Sequence, residues 1–77
     1  MVCVMIVKFK FLRNSGREDI IYHDVKSFII KDGSSYISLV MPGLFIGSDD
    51  MILDYPLDFV RYISFDNGYC KFRIQVV

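Results

Sequence analysis

The chain has 77 residues, nine Lys and Arg against nine Asp and Glu, and a formal net charge of zero. Its length allows one small domain, residues 1–77, and its neutrality gives no overall attraction to nucleic acid or anionic membranes. Hydrophobic residues form 53% of the sequence, which excludes an intrinsically disordered chain. Because so short a chain buries only about 60–65% of its unfolded surface, we expect apolar side chains to remain exposed.

Strand-forming residues dominate the whole sequence. Alanine is absent, glutamate occurs only at Glu18, and Val, Ile, Phe and Tyr recur throughout. Residues 2–12 alternate between apolar and basic side chains toward their end, which predicts a half-buried strand. Its inner face carries Val7, Phe9 and Phe11, and its outer face carries Lys8 and Lys10.

Turn residues separate several further runs of the same kind. The predicted strands span residues 2–12, 19–23, 25–31, 36–41, 59–65 and 70–76. Residues 51–53, just before Pro56, favour at most a short edge strand. We therefore expect an all-β domain, a small antiparallel meander of five to six strands that forms a partly open barrel or a two-layer sheet.

Two hairpins have a register that can be predicted from their loops. The loop at residues 32–35 sets Ile30 opposite Ile37 and Phe28 opposite Leu39, with all four side chains on one face.

Asn67-Gly68 is the strongest turn signal, because this dipeptide is typical of two-residue hairpin loops. Such a loop sets Phe65 opposite Cys70 and Ile63 opposite Phe72, and the same count places Arg61 opposite Ile74.

The two cysteines, Cys3 and Cys70, lie near opposite ends of the chain without the spacing of a zinc or redox motif. Each occupies an apolar alternating position, so we expect two buried reduced thiols, with a disulfide between them as the alternative. The apolar run at residues 1–7 is too short for a membrane span and lacks the basic segment of a signal peptide. We expect a cytoplasmic protein without a membrane partner.

No residue set indicates catalysis or a cofactor. His23 is the only histidine, and its neighbour Asp24 falls on the opposite face of an extended strand. Four carboxylates, at Asp49, Asp50, Asp54 and Asp58, lack the ligand spacing of a calcium loop. We expect no enzyme and no metal site, and we interpret this acidic segment as solvated.

A basic and aromatic strand face is the first candidate binding surface. It comprises Lys8, Lys10, Tyr62, Tyr69, Lys71 and Arg73. If the first and last strands are sheet neighbours, these groups share one surface that suits single-stranded nucleic acid, through base stacking and phosphate contacts. The alternative is a set of solvated cations that protect strand exteriors from edge pairing.

Leu44, Phe45 and Ile46 are the first candidates for a protein interface. They lie between Gly43 and Gly47, in a segment without an evident strand partner. We expect a non-enzymatic protein–protein interaction module, associating as a homodimer or with a second protein. An accessory or inhibitory protein, such as phages often encode, is one form of this role. The alternative is that the three side chains plug the open end of the barrel.

Overall fold

A computed structural model describes residues 4–31, 33 and 35–76, and within them the fold is all-β. The strands are β1 (Met5–Phe11), β2 (Ile20–Val25), β3 (Ser27–Ile30), β4 (Tyr36–Met41), β5 (Met51–Pro56), β6 (Val60–Asp66) and β7 (Lys71–Gln75). Between β1 and β2, Arg13–Ser15 form one turn of 3₁₀ helix. In this described part, no helix is long and apolar enough to cross a membrane.

The seven strands form two antiparallel sheets. Sheet A has the order β2-β1-β6-β7 and sheet B the order β3-β4-β5. The sheets face each other without closing into a barrel, so the all-β two-layer arrangement is confirmed. The prediction of five to six strands in a simple meander is wrong in two respects. Seven strands are present, and β1 pairs with β6, which lies far along the chain.

The chain passes from sheet A to sheet B at Lys26, which alone separates β2 from β3. A bulge in the β1–β2 pairing, together with a φ of 60° at Asp24, bends the backbone just before this point. The Lys26 backbone N–H then donates to the Val40 carbonyl on β4, at 2.7 Å. Val25 consequently ends β2 as a buried residue instead of beginning the third strand as predicted.

The core lies between the sheets, and among the described residues every buried side chain in it is apolar. The buried residues are Val7, Phe9, Phe11, Val25, Ile37, Leu39, Val60, Ile63 and Phe65. The predicted inward positions of β1 are therefore confirmed. Burying this alternating set on both sheets is the main source of stability, since each large apolar side chain contributes about 1.5–3 kcal/mol.

The β3–β4 hairpin has the predicted register, with Ile30 opposite Ile37 and Phe28 opposite Leu39. The β6–β7 hairpin does not. Phe65 pairs with Phe72 instead of Cys70.

Side-chain hydrogen bonds explain the longer β6–β7 loop. Asn67 Oδ1 accepts from the backbone N–H groups of Tyr69 and Cys70, and Asp66 Oδ1 accepts from Gly68 N–H. These local bonds draw residues 67–70 into the loop, where an Asn-Gly signal alone predicts two residues. Phe72 moves opposite Phe65, and Ile74 moves opposite Ile63 instead of Arg61, while inward and outward faces are unchanged because the shift is two residues.

Two predicted boundaries also change around β5. The segment at residues 51–53 extends to a full edge strand, Met51–Pro56, paired along its whole length with β4. Phe59 is outside β6, in a turn, with a φ of 64° and its ring exposed. This turn returns the chain from sheet B to sheet A, and its last residue accepts a 2.8 Å hydrogen bond from Leu12 N–H.

Candidate protein-interaction surfaces

The β4–β5 loop (residues 42–50) presents three consecutive large apolar side chains to solvent. Leu44 and Phe45 are each 79% exposed and Ile46 is fully exposed, at 108%. None of them contacts the core, so they do not plug an open end of the fold. These three residues are called the apolar tip below. A tip of this kind is costly to leave in water.

The backbone of the loop is fixed close behind the tip. Ser48 N–H and Ser48 Oγ both donate to the Phe45 carbonyl, and Phe45 N–H donates to Ser48 Oγ at 3.2 Å. Gly47, inside this turn, has a φ of 83°, a conformation that favours glycine. The tip therefore sits on an ordered turn.

Two further contacts hold the base of the loop. Gly43 lies so close to Ser48 and to the Asp49 carbonyl that a Cβ atom at this position would overlap both. Asp50 Oδ1 accepts a 2.8 Å charged hydrogen bond from Lys26 Nζ, at the corner between the sheets. The loop thus projects from the fold as a braced hairpin whose tip is apolar and whose returning arm carries Asp49 and Asp50.

The outward-facing side of sheet A brings together most of the predicted basic face. Lys8 and Lys10 on β1, Tyr62 on β6, and Lys71 and Arg73 on β7 occupy outward positions of one sheet, although β6 separates the first strand from the last. Tyr69 lies apart, in the β6–β7 loop, and is 92% exposed.

Carboxylates neutralise part of this basic face. Asp19 lies 3.8 Å from Lys8 Nζ and 3.4 Å from Lys10 Nζ, and Asp66 lies 3.8 Å from Lys71 Nζ. Arg73 makes no ion pair with any described residue. Its guanidinium instead lies over the Tyr62 ring, 4.9 Å from the centroid. Four cations against two carboxylates leave the face positive, but the Tyr62 ring is already covered by Arg73.

A depression of about 440 Å³ lies in the middle of this face. It forms because Ser64 on β6 has a short side chain between two long neighbours, Lys8 on β1 and Arg73 on β7. Ile21 on β2, opposite Lys8, and Ile6 on β1 supply apolar walls, both partly exposed. The depression is therefore apolar within and cationic at its rim, where Lys8, Lys71 and Arg73 outnumber Asp66.

Several residues of this depression escape prediction from the sequence. Ile6 lies two residues before Lys8 on β1 and therefore faces outward with it. The alternation of β1 predicts this position. Ser64 lies beside Lys8 only through the β1–β6 pairing, which is not local in sequence. Ile21 lies beside Lys8 through the β1–β2 hairpin, whose register the sequence does not specify. No pattern in the sequence indicates the β1–β6 pairing.

The remaining chemical candidates stay dispersed. His23 is exposed, and although the chain bends at Asp24, no hydrogen bond joins these two side chains in the part of the molecule that is described. Asp54 accepts a hydrogen bond from Ser38 Oγ and Asp50 binds Lys26. Among residues 4–31, 33 and 35–76, no group of three or more His, Cys, Asp or Glu side chains converges on a metal position.

Cys70 is exposed in the β6–β7 loop, so the prediction of a buried thiol is wrong at this position. The longer loop removes it from β7, where alternation alone would have turned it inward. Cys3 lies outside the described residues.

Comparison with known proteins found no matching family model and no significantly similar curated protein or solved structure.

Proposed function

We propose that this protein is a non-enzymatic protein-interaction module that associates with a second polypeptide, in the first place another copy of itself, through the β4–β5 loop. The observation that carries the proposal is the apolar tip, Leu44 to Ile46, exposed on a braced turn.

The energetics favour this use of the loop. Moving three large apolar side chains from water into a contact is worth about 1.5–3 kcal/mol for each one that is fully buried. Because Ser48, Gly43 and the Lys26–Asp50 pair already order the backbone, little conformational entropy is lost when the tip docks. A preformed projecting loop is therefore a better binding element than a flexible one of the same composition.

The test is the substitution Phe45→Asp, with association measured by light scattering from micromolar to millimolar concentration. We expect the wild type to associate and the variant to be a folded monomer, because a carboxylate cannot be buried in an apolar contact without a partner. Phe59→Asp is the matched control. It makes the same chemical change at an exposed position, and its positive φ of 64° is one that Asp tolerates better than Phe.

Association of Phe45→Asp at the wild-type level contradicts the proposal, as does unfolding of this variant, which would give the tip a structural role. A wild-type protein that stays monomeric at millimolar concentration removes self-association and leaves only a foreign protein as the partner.

Single-stranded nucleic acid on the basic face is the second candidate, favoured by the shared outward positions of Lys8, Lys10, Tyr62, Lys71 and Arg73. The ion pairs to Asp19 and Asp66 and the cover over Tyr62 weigh against it.

This second candidate predicts binding of single-stranded DNA or RNA at low salt, lost on the double substitution Lys71→Glu and Arg73→Glu and falling steeply with added salt. We expect no binding by the wild type. Saturable binding that this double variant abolishes would reverse the order of the two candidates.

A further inference from the structure

We infer that the β4–β5 loop of one copy docks into the depression on the outer face of sheet A of a second copy. This inference rests on the proposed self-association and adds the identity of the receiving surface. It joins two exposed apolar surfaces of the described chain: the projecting apolar tip and the shallow depression on sheet A.

The two surfaces match in shape and polarity. The tip is convex and offers Leu44, Phe45 and Ile46 without a covering contact. The depression is shallow and open, has a volume of about 440 Å³, and is flanked by Ile6 and Ile21 beside the short side chain of Ser64. A volume in this range suits one or two large apolar side chains, since pockets for small ligands begin at about 300 Å³.

The charges beside the two surfaces are also complementary. Asp49 follows the tip on the returning arm of the loop, next to Asp50, which is already paired with Lys26. The rim of the depression carries Arg73 together with Lys8 and Lys71, which are paired with Asp19 and Asp66. Asp49 has no ion-pair partner among the described residues, and neither has Arg73. Insertion of the apolar tip would bring an acidic arm against a cationic rim, which orients the docked loop and favours the correct encounter.

The contact must join two molecules. Within one chain the tip is exposed, and none of its residues lines the depression, which lies on the face of sheet A turned away from sheet B. A second copy is therefore the partner whose chemistry is already present, and it is the one that any solution of this protein supplies at high concentration.

The experiment uses one variant of each surface and then mixes them. Phe45→Asp disables the loop. Ser64→Tyr fills the depression with a good strand-forming residue at a partly exposed position, and Arg73→Glu reverses the rim charge without filling the site. Arg13→Glu is the control for the charge change, because Arg13 is an exposed residue of the 3₁₀ turn and does not line the depression.

Self-association is measured by sedimentation velocity after circular dichroism has shown that each variant is folded. We expect each disabling variant to associate at least about tenfold more weakly than the wild type, since one buried aromatic is worth that factor or more. We expect Arg13→Glu to associate as the wild type does.

Mixing Phe45→Asp with Ser64→Tyr is the decisive step. The mixture retains one intact depression, on the first variant, and one intact loop, on the second. It is therefore expected to form a heterodimer at concentrations where neither variant associates with itself. If Ser64→Tyr does not fold, the same mixture is made with Arg73→Glu.

Failure of this inference is distinguishable from failure of the proposed function. If Phe45→Asp is monomeric but Ser64→Tyr and Arg73→Glu associate normally, the loop is the interface and the depression is not its receptor. A mixture that stays monomeric also overturns the inference. Binding of single-stranded DNA by the wild type but not by Ser64→Tyr overturns it too, because the depression would then bind nucleic acid. A Phe45→Asp variant that associates normally overturns the proposed function as well.

Discussion

The rings of Phe28 and Phe65 are stacked across the two sheets, with centroids 4.3 Å apart and an interplanar angle of 28°. Phe65 is also stacked on Phe72, its cross-strand neighbour on β7, at 4.8 Å. This group closes one part of the core, and Phe9, Tyr22 and Tyr55 form a second aromatic group, with the Phe9 and Tyr55 rings 4.5 Å apart. These two aromatic groups pack sheet A against sheet B.

Phe65→Ala should lower the free energy of unfolding by about 3–5 kcal/mol, because it removes a fully buried ring and leaves a cavity between stacked neighbours. Urea denaturation followed by circular dichroism measures this loss. Phe45→Ala is the control, since the same change at an exposed ring should shift stability by no more than about 0.5 kcal/mol. Equal losses for the two variants would show that the core is not where the structure places it.

Gly68→Val should destabilise the β6–β7 hairpin, because Gly68 has a φ of 89° and a β-branched residue is strained there. We expect a cost of about 1–3 kcal/mol, although nothing crowds the position. Thermal unfolding measures it, with Tyr69→Ala as a neutral control in the same exposed loop. A Gly68→Val protein as stable as the wild type would rule out a positive φ at this residue.

Gly43→Ala should disturb the tip while leaving the core intact. The new methyl group would overlap Ser48 Oγ and the Asp49 carbonyl, so the loop backbone must shift. We expect self-association to weaken about tenfold, a loss of about 1.4 kcal/mol, with little change in the unfolding temperature. Pro42→Ala, at the exposed neighbouring position, is the control. Unchanged association would mean that the brace behind the tip is irrelevant to docking.

Tyr22 should make the protein sensitive to alkali. Burial raises the pKa of the Tyr22 phenol above its usual value of 10.0, and the neighbouring Tyr55 adds to this shift. The unfolded chain then releases the Tyr22 proton first as the pH rises, so the folded state binds more protons and its stability falls. This contribution is fully present below about pH 10 and is lost as the pH rises through the folded-state pKa.

Tyr22→Phe removes this contribution to the pH dependence of stability. Its stability, measured by urea denaturation at several pH values, should fall less steeply above about pH 10 than that of the wild type. Parallel curves for the two proteins would contradict a shifted Tyr22.

The sequence predicts those features of the fold that depend on local pattern. Alternation places Val7, Phe9 and Phe11 in the core, and the loop at residues 32–35 gives the β3–β4 register correctly. The β6–β7 register fails because Asp66 and Asn67 side chains bond to nearby backbone N–H groups, and a turn dipeptide does not specify those bonds.

Of the two candidate surfaces, one depends on local sequence and the other on long-range strand pairing. The apolar tip can be predicted from the sequence, because three large apolar residues lie between two glycines in a segment without an evident strand partner. The depression cannot, since Ile21, Ser64 and Arg73 become neighbours only through the β1–β6 pairing of distant segments. Long-range pairing is fixed by the packing of the whole core and leaves no local signature.

The most direct test of the central claim, that the apolar tip is the interface, is an amide chemical-shift titration of the wild-type protein from micromolar to millimolar concentration. We expect concentration-dependent shifts at Leu44, Phe45 and Ile46, and also at Ile21 and Ser64 if the depression receives the tip. Shifts confined to the exposed outer face of sheet B, at Ile29 and Ile52, would contradict the account, and so would spectra in which the three tip amides do not change.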